Sequence, residues 1–389
     1  MNTTKNLANN PDKELKEEKL RNGFFEEFHT NGNLKNEGEY INGKKEGTWK
    51  EYFENGILKE EGSYKNERKH GEFKIYDLNG SQIQRLSFLK GILQEKGKVI
   101  NGKKDGVWDS FFETGQLKSK QEFKEGIWNG IWERYDENGQ QIEIGNYKNG
   151  LMDGPWQFFK NGYLHEKGNF VNDKKEGEWE SYQKDGKLKD KGSFKNGEVE
   201  GNWKIYHKNG LLEANGFYKK SKNVGKWEVY YENGIIKVIE IYNEELTNEE
   251  WEVYQGEYFF ENGNLKEKGS YSALTSYGIC IQKKKVGLWF YYSENGQLIE
   301  TGEYNEGLRE GIWKHYFENG KLSELGSFKN GKKDGNWEYY YNLGLTKEKG
   351  KFINGEKDGV WEEFNSNGEL IKKITYKNGK TSFWDFLRF

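Results

Sequence analysis

The chain contains 389 residues, of which only 33% are hydrophobic, and its mean hydropathy is −1.10. Such values are typical of disordered proteins, but aromatic residues make up 16% of the chain and include 14 Trp, which excludes a simple disordered chain. The 61 basic and 64 acidic residues nearly balance, so no global electric field favours binding to nucleic acid.

Residues 1–20 form a polar tail that is rich in lysine and glutamate. They contain no apolar run that could serve as the core of a signal peptide, and no later stretch approaches the length of a membrane span. Cys280 is the only cysteine, which excludes an internal disulfide and fits a reducing compartment. We therefore expect a cytoplasmic protein in which residues 21–389 form one continuous repeat array.

A repeat with a period of 24 residues follows the tail. Its anchor is an aromatic residue that usually follows a Gly-x pair. The anchors are Phe25, Trp49, Phe73, Trp108, Trp132, Trp156, Trp179, Trp203, Trp227, Trp251, Trp289, Trp313, Trp337, Trp361 and Trp384. Of the fourteen intervals between them, ten are 24 residues long and two are 23. The sequence therefore predicts about fifteen similar units.

Each unit carries further apolar residues at fixed distances from its anchor. An aromatic residue usually stands three and fifteen positions after the anchor, and Leu or Ile usually stands nine positions after it. For the anchor Trp49 these residues are Tyr52, Tyr64 and Leu58. Because the same spacing recurs many times, we expect every unit to fold alike.

Two turn signals in each unit predict β-hairpins. Asn-Gly, as at Asn55-Gly56, separates two β-prone runs, and both residues tolerate the positive φ of a type I′ turn. A second motif, N-G-K-K-D/E-G, as at residues 42–47, links one hairpin to the next. The predicted fold is all-β: an elongated antiparallel meander of about fifteen β-hairpin repeats with a period of 24 residues, formed as a curled or rolled single sheet.

The register of each hairpin has two solutions. A two-residue turn places Gly62 opposite Trp49, so that the ring could cover bare backbone across the ladder. A three-residue loop instead pairs Tyr52 with Leu58. Because Trp49 and Tyr52 are an odd number of positions apart, either both faces of the sheet carry aromatic residues or each hairpin contains a bulge.

Two phase breaks interrupt the array, near residues 88–102 and 252–282. The second contains the segment SALTSYGICIQ, which has no charged residue although 32% of the chain is charged. It includes Tyr277 and Cys280, which are candidates for partner binding. One interpretation is a loop that grips a partner. The other, which we favour, is a lengthened hairpin that packs on its neighbours.

Residues that could carry out chemistry are scattered along the chain. The five histidines fall in different units without metal-ligand spacing. The G-K-K-D-G turns lack the Ser or Thr and the following helix of a phosphate-binding loop. We therefore expect no catalytic residue, no metal site and no cofactor, and we do not expect an enzyme.

Charge follows the turns. Glu precedes Asn-Gly at many hairpin tips, as at Glu54, whereas several connecting turns carry lysine pairs, as at Lys44-Lys45. One edge of the sheet would then be acidic and the other would bear lysines that could dock on anionic lipid or an acidic partner. The alternative, which we favour, is a row of solvated turns whose lysines are offset by acids such as Glu46.

The unit G-x-W-x-x-Y-x-x-N-G-x-L-x-x-x-G-x-Y-x-N-G resembles the MORN-variant repeat of bacterial proteins that are classed as YwqK-type antitoxins. The resemblance covers the chain from about Asn22 to Trp384. It implies a non-catalytic β-hairpin scaffold for protein contact, used as an antitoxin or immunity protein that neutralises a toxin. The alternative is a structural repeat protein of the membrane or the cell envelope.

Under the scaffold hypothesis, a protein partner contacts aromatic residues of the array. The candidate contact residues are Tyr52, Tyr135, Tyr206, Tyr230, Tyr292, Tyr316, Tyr340, Tyr277 and Cys280. Nucleic acid is disfavoured as a partner by the charge balance, and membrane contact is less favoured than protein contact.

Overall fold

The computed structural model describes residues 21–242, 252–276 and 279–381. The chain divides into two compact units, Met1–Gly162 and Tyr163–Phe389. Every regular element of the described residues is a β-strand, which confirms the all-β prediction. These residues include no helix of the length and apolarity that crossing a membrane requires.

The first unit is an antiparallel meander in which each strand pairs with the next along the chain, except that β11 pairs with both β12 and β13. Its strands are β1 (Gly23–Phe28), β2 (Leu34–Ile41), β3 (Lys44–Tyr52), β4 (Leu58–Lys65), β5 (Arg68–Tyr76), β6 (Gln82–Leu89), β7 (Ile92–Ile100), β8 (Lys103–Phe111), β9 (Leu117–Lys124), β10 (Ile127–Tyr135), β11 (Gln141–Lys148), β12 (Leu151–Met152) and β13 (Gly154–Lys160).

The second unit is also an antiparallel meander of strands that follow one another in the chain. Its strands are β14 (Tyr163–Val171), β15 (Lys174–Tyr182), β16 (Leu188–Lys195), β17 (Glu198–Tyr206), β18 (Leu212–Lys219), β19 (Lys222–Tyr230), β20 (Ile236–Tyr242), β21 (Glu252–Phe259), β22 (Leu265–Ser276), β23 (Ile279–Tyr292), β24 (Leu298–Asn305), β25 (Leu308–Tyr316), β26 (Leu322–Lys329), β27 (Lys332–Tyr340), β28 (Thr346–Ile353), β29 (Glu356–Phe364), β30 (Leu370–Lys377) and β31 (Lys380–Thr381).

The hairpin tip uses a different turn from the predicted type I′. Between β3 and β4, Gly56 has a φ of 81°, whereas Asn55 is not among the residues with positive φ. The Gly56 N–H donates to the carbonyl oxygen of Phe53 at 2.9 Å, and the Phe53 N–H donates to that of Ile57 at 2.8 Å. These bonds define a type I turn followed by a left-handed glycine. The prediction of a type I′ turn was therefore wrong at this tip, whereas Asn161 and Gly162, after β13, both have the positive φ of that turn, at 51° and 80°.

The type I′ geometry occurs in the connecting turn instead. Asn42 and Gly43 lie between the paired residues Ile41 and Lys44, and their φ angles are 50° and 75°. Both central residues must have positive φ in this turn, and Asn and Gly are the residues that tolerate it best. The two turns of one unit thus use Asn-Gly for different reasons.

Both predicted registers occur in the same hairpin. Trp49 lies opposite Gly62, and three residues further Tyr52 lies opposite Leu58. The register shifts between Glu51 and Tyr52, so one extra residue is accommodated in β4. The hairpin of Trp49 therefore contains a bulge, and both of its faces carry aromatic residues.

The recurring glycine of the return strand lies beneath the anchor ring of the next hairpin. A Cβ atom at Gly62 would lie 2.3 Å from Cδ1 of Phe73, and one at Gly38 would lie 2.2 Å from Cδ2 of Trp49. The expectation that Trp49 covers Gly62 is therefore corrected, because the ring reaches across to the preceding hairpin. Gly47, two positions before the anchor, has a φ of 68° where β3 bulges opposite Gly38.

The first phase break adds one strand, β7, between two hairpins of the first unit. The anchor-bearing strands β1, β3 and β5 run in one direction. The anchor-bearing strands β8 and β10 run in the opposite direction, because the single strand β7 is inserted before them. The hairpin tips that follow β8 and β10 therefore lie on the edge opposite to those that follow β1, β3 and β5. The predicted acidic and lysine edges exchange sides at β7.

The inserted strand also moves the anchor rings to the other face. Phe73 pairs with Leu86, and Leu86 pairs with Lys96, so these three side chains share one face. Gly97 follows Lys96 and pairs with Trp108. Because successive residues of a strand point to opposite faces, the rings of Phe73 and Trp108 lie on opposite sides of the sheet.

The second phase break changes which residue takes the anchor position. Gly256 pairs with Gly269. Phe259 lies three positions after Gly256, where the hairpin tip begins. Gly256 therefore takes the place of the anchor, and Tyr254 precedes it by two positions. The assignment of Trp251 as this anchor is corrected. Trp251 itself lies outside the described residues, as does the last predicted anchor, Trp384.

Candidate functional site

Each hairpin has two faces that are covered differently. We name the face that carries the anchor ring the tryptophan face and the other the open face. In β25 and β26, Trp313 and Phe328 lie on the tryptophan face, whereas Ile312 and Tyr316 lie on the open face. Within the first unit, the two faces exchange sides at β7.

The tryptophan face is a row of alternating rings in edge contact. The ring of Phe328 stands between those of Trp313 and Trp337, with centroid distances of 5.9 and 5.2 Å. The ring of Phe352 stands in the same way between Trp337 and Trp361. All three tryptophans have 0% exposure, although they lie on one face of a sheet. Edge-to-face contacts of this kind stabilise aromatic pairs beyond the area that they bury.

A basic residue four positions before the anchor covers the outer side of most anchor rings. The Nζ atoms of Lys333 and Lys357 lie 3.8 Å from the centroids of the Trp337 and Trp361 rings. We call such a residue the cap of its anchor. The other capped anchors are Phe25 under Arg21, Trp49 under Lys45, Phe73 under Lys69, Trp108 under Lys104, Trp179 under Lys175, Trp289 under Lys285 and Trp313 under Arg309.

An acidic residue of the preceding hairpin usually holds the cap in place. Lys69 pairs with Glu60 at 2.8 Å, and Arg309 pairs with Glu300 at 2.5 Å. The charged end of each cap therefore lies over its ring and at the same time pairs with a carboxylate. The burial lowers the pKa of Lys333. Where caps are present, the apolar face is therefore covered by the chain itself and needs no partner to cover it.

The caps change the interpretation of the lysine pairs in the connecting turns. Lys45 lies 4.1 Å from the Trp49 ring centroid and is only half exposed, so one lysine of the pair is withdrawn from the edge. Glu46 accepts the backbone N–H of Asn66 at 2.7 Å and so links two successive connecting turns. The carboxylate of Glu46, which is predicted from the sequence to offset the lysines, thus also braces the backbone of the next connecting turn.

The tyrosines of the +3 position lie on the open face, and six of them donate to carboxylates there: Tyr52, Tyr76, Tyr135, Tyr182, Tyr230 and Tyr340. The hydroxyl of Tyr52 donates to Glu37 at 2.6 Å, and that of Tyr230 donates to Glu228 at 2.8 Å. Burial and the hydrogen bond to Glu228 raise the pKa of Tyr230 to about 12. Each such bond fixes the ring beside an acidic group, which leaves an aromatic edge and a carboxylate next to each other at the surface.

The structure brings together some of the predicted contact residues and separates others. Tyr52 and Tyr135 lie on opposite sides of the first unit, because β7 intervenes between their hairpins. In the second unit the anchor strands all run in one direction, and five of the tyrosines share its open face. These are Tyr206, Tyr230, Tyr292, Tyr316 and Tyr340. Tyr277 and the side chain of Cys280 lie outside the part of the chain that the structure describes.

Aliphatic residues immediately before the anchors are exposed on the open face of the second unit. Leu288, Ile312 and Val360 are 50%, 62% and 54% exposed. Shallow depressions occur beside two of them, and one is lined by Leu288, Phe290 and Lys268. None of the three exposed aliphatic residues is among the predicted contact residues. The available signal was an apolar residue before the anchor, a position that is Glu178, Asn202, Lys226 and Asn336 in four other hairpins of the second unit.

A polar cluster replaces the tryptophan-on-glycine contact at the second phase break. Glu240 occupies the glycine position of its hairpin, and Gly256 stands in the following anchor position. Glu240 accepts hydrogen bonds from Tyr258 at 2.7 Å, from Tyr242 at 2.5 Å and from Lys283 at 2.7 Å. Burial is the main cause that raises the pKa of Tyr258. With three donors on one carboxylate, the cluster fills the space that the missing ring leaves.

Two of the described histidines, His29 and His207, lie at hairpin tips. His29 and His207 share a repeat position, and their Nε2 atoms lie 3.0 Å from the carbonyl oxygens of Tyr52 and Tyr230 in the next hairpin. In residues 21–242, 252–276 and 279–381, no group of three or more His, Cys, Asp or Glu residues is placed to hold a metal ion. These histidines link adjacent hairpin tips.

Comparison with solved structures gives only distant similarity. The crystal structure of TcdB2-TccC3-TEV matches 92% of this chain and 20% of that chain, with 11% identity and a TM-score of 0.15. The crystal structure of TcdB2-TccC3 without its hypervariable C-terminal region matches 91% and 21%, with 11% identity and a TM-score of 0.16. The chain thus spans about a fifth of those proteins, and such TM-scores support no conclusion about function.

The sequence of the repeat is more informative than these structures. No curated protein matches the chain. Ten segments match the MORN repeat variant, and they are residues 21–42, 45–66, 104–125, 128–149, 175–196, 223–244, 255–273, 285–306, 309–330 and 357–378. The matched segments include more than half of the residues and recur along both units. The chain therefore belongs to the family of MORN repeat variant proteins.

Proposed function

We propose that this protein is a non-catalytic scaffold that binds a protein partner through the open face of its second unit. The observation that carries the proposal is the set of exposed aliphatic residues Leu288, Ile312 and Val360, which share this face with the +3 tyrosines. Leu288 and Ile312 precede successive anchors, and Asn336 stands between them and Val360. Aromatic side chains with fixed orientation beside exposed apolar groups are typical of protein interfaces.

The difference between the two faces supports this choice. The tryptophan face of β23 to β30 is buried under its own caps, with Trp289, Trp313 and Trp337 at 0% exposure. The open face has no comparable cover, since Ile312 is 62% exposed. Stability and binding would then depend on opposite faces. Substitutions on the open face can therefore weaken binding without loss of the fold.

We further propose that the partner is a toxin, which the chain neutralises in the cytoplasm. The similarity of the repeat unit to those of YwqK-type antitoxins supports a toxin as the partner. The balanced charge of the chain supports a protein rather than a nucleic acid. A partner with exposed basic and apolar groups fits the open face, because carboxylates such as Glu228 lie beside the tyrosine rings.

An affinity pull-down from lysate of the native host tests the proposal. The intact chain is the bait, and a second bait carries Leu288→Asp and Ile312→Asp. A third bait carries Leu211→Asp and Leu343→Asp, which add the same two charges at exposed leucines of hairpin tips, away from the open face. We expect one stoichiometric protein with the first and third baits and at least a tenfold smaller yield with the second. Recovery of lipid or envelope components alone, or equal recovery with all baits, would contradict the proposal.

A further inference from the structure

Four described anchors of the array carry no basic cap. The residues four positions before Trp132, Trp156, Trp203 and Trp227 are Trp128, Met152, Val199 and Asn223. In capped hairpins the cation lies about 4 Å from the ring centroid, for example Lys69 at 4.2 Å from Phe73. The four hairpins therefore differ in the residue that occupies the position of the cap.

Only at Trp203 does the acid of the cap remain while its cation is lost. Val199 pairs with Phe194, just as the cap Lys69 pairs with Tyr64 in a capped hairpin. Val199 therefore occupies the position of the cap. The acid that corresponds to Glu60 is Asp190. Among the described residues, Asp190 forms an ion pair with Lys189, whose Nζ atom lies 3.9 Å from Oδ2 of Asp190. The side chain of Lys189 is 58% exposed.

The other three uncapped anchors have lost or engaged the acid. In the hairpin before Trp132, Ser119 stands where a capped hairpin has the acid that pairs with the cap. In the hairpin before Trp227, Ala214 stands at this position. Glu143 remains in the hairpin before Met152, but it accepts hydrogen bonds from Trp132 at 2.8 Å and from Arg134 at 2.9 Å. An acid with a missing cation is therefore specific to Trp203 among the described anchors.

The rings around Trp203 keep the arrangement of a capped hairpin. Phe194 and Tyr218 stand in edge contact on its two sides, with centroid distances of 5.5 and 6.2 Å. The indole lies on Gly192, where a Cβ atom would lie 1.9 Å from Cε3. Trp203 is partly exposed, whereas the capped Trp179 is 2% exposed. The short Val199 side chain thus leaves part of the indole open to solvent.

We propose that this place binds a lysine or arginine side chain of a protein partner. The incoming cation would lie over Trp203 between the two flanking rings and pair with Asp190, as Lys69 does with Phe73 and Glu60 within the chain. The nearest cap on this face is Lys175, which already pairs with Glu166. Adjacent hairpins tolerate two caps side by side, as Lys333 and Lys357 show, so a second cation fits beside Lys175.

This site is separate from the contact proposed for the open face. It lies on the tryptophan face between β16 and β18, whereas Leu288 and Ile312 lie on the open face of later hairpins. Its ligand is defined by chemistry alone: a primary ammonium or guanidinium at the end of a flexible chain. Failure of one proposal leaves the other unaffected.

Fluorine NMR of the intact chain labelled with 5-fluorotryptophan tests the site, and Trp203→Phe identifies the resonance. The probe is N-acetyl-lysine methylamide, and its neutral control is N-acetyl-norleucine methylamide. We expect the Trp203 resonance to shift with a dissociation constant on the order of 10 mM, as one cation–π contact and one exposed ion pair allow. The neutral probe should bind at least tenfold more weakly.

Two variants check the site from the protein side. Val199→Lys combined with Asp190→Glu rebuilds the native pair of Lys69 and Glu60, so it should abolish the response while the other tryptophan resonances stay in place. Asp190→Asn should weaken binding severalfold. An unchanged Trp203 resonance at saturating probe, an equal response to the neutral probe, or full binding by the rebuilt variant would overturn the proposal.

Discussion

Replacement of Gly326 by Ala tests how tightly an anchor ring packs on the glycine of the preceding hairpin. A Cβ atom at Gly326 would lie 2.0 Å from Cδ2 and 2.2 Å from Cε2 of Trp337. Carbon atoms in contact are normally about 3.5 to 4 Å apart, so the ring would have to move by roughly 1.5 Å. It has little room to do so, because Trp337 is 0% exposed and lies between Phe328 and Phe352.

The expected cost follows from this geometry. Gly326 is not among the glycines with positive φ, so alanine fits the backbone and the penalty comes from overpacking alone. We expect a loss of about 3 kcal/mol in the local free energy of opening, the upper end of the range for overpacked cores. In the background of Trp337→Val the indole is absent, so the added methyl group no longer overlaps with a ring. The same change should then cost about 0 kcal/mol, because alanine also restricts the unfolded chain and so offsets any remaining contact.

Hydrogen exchange measured by mass spectrometry on peptides from β26 and β27 gives this local free energy. A local measurement is required, because repeat arrays do not unfold in one step. The double-mutant cycle should show a coupling of about 3 kcal/mol between Gly326 and Trp337. If Gly326→Ala costs the same with and without the indole, the proposed packing of ring on glycine is wrong.

Three further predictions concern the cap, the turns and the open face. Lys333→Met keeps the stem over Trp337 but removes the charge, so hydrogen exchange of β27 should report a loss of about 1 kcal/mol. Asn330 has a φ of 49° and should tolerate Gly within about 0.5 kcal/mol, whereas Asn319→Gly at a tip should cost about 1 to 2 kcal/mol, because its side chain bonds to the Lys321 N–H and to the next tip. Burial and the bond to Glu338 raise the pKa of Tyr340 from 10.0 to about 12. Because a raised pKa favours the neutral form in the folded state, its contribution to stability is complete below about pH 10 and is lost as the pH rises through about 12. Absorbance at 295 nm during alkaline titration, compared with Tyr340→Phe, checks this, and ionisation of Tyr340 near pH 10 would contradict it.

Most of the fold could be predicted because each local signal repeats. One hairpin, such as that of Trp49, leaves two registers open, but the spacing of anchor, +3 and +15 aromatic residues fixes the strand boundaries across the array. The turn types could not be predicted from Asn-Gly alone. Asn42 and Asn55 both precede Gly, and only the length of the connection to the paired strands decides which one adopts positive φ.

The candidate site was harder to predict, because it depends on contacts between hairpins. The caps are visible as basic residues four positions before the anchor, but their role requires knowing that β3 bulges and brings Lys45 over Trp49. The exchange of faces depends on a single inserted strand, β7, which in sequence is only an irregular spacing. The anchor position of Gly256 could not be recognised, because a nearby tryptophan at residue 251 suits the period better.

The open face of the second unit is the proposed contact surface for a protein partner. Photo-crosslinking in the native host tests it most directly, with p-benzoylphenylalanine in place of Ile312 on the open face and, as a control, in place of Glu318 at a hairpin tip. We expect one dominant crosslinked protein from position 312 and little product from position 318. Equal products from both positions, or products from the tip alone, would contradict it.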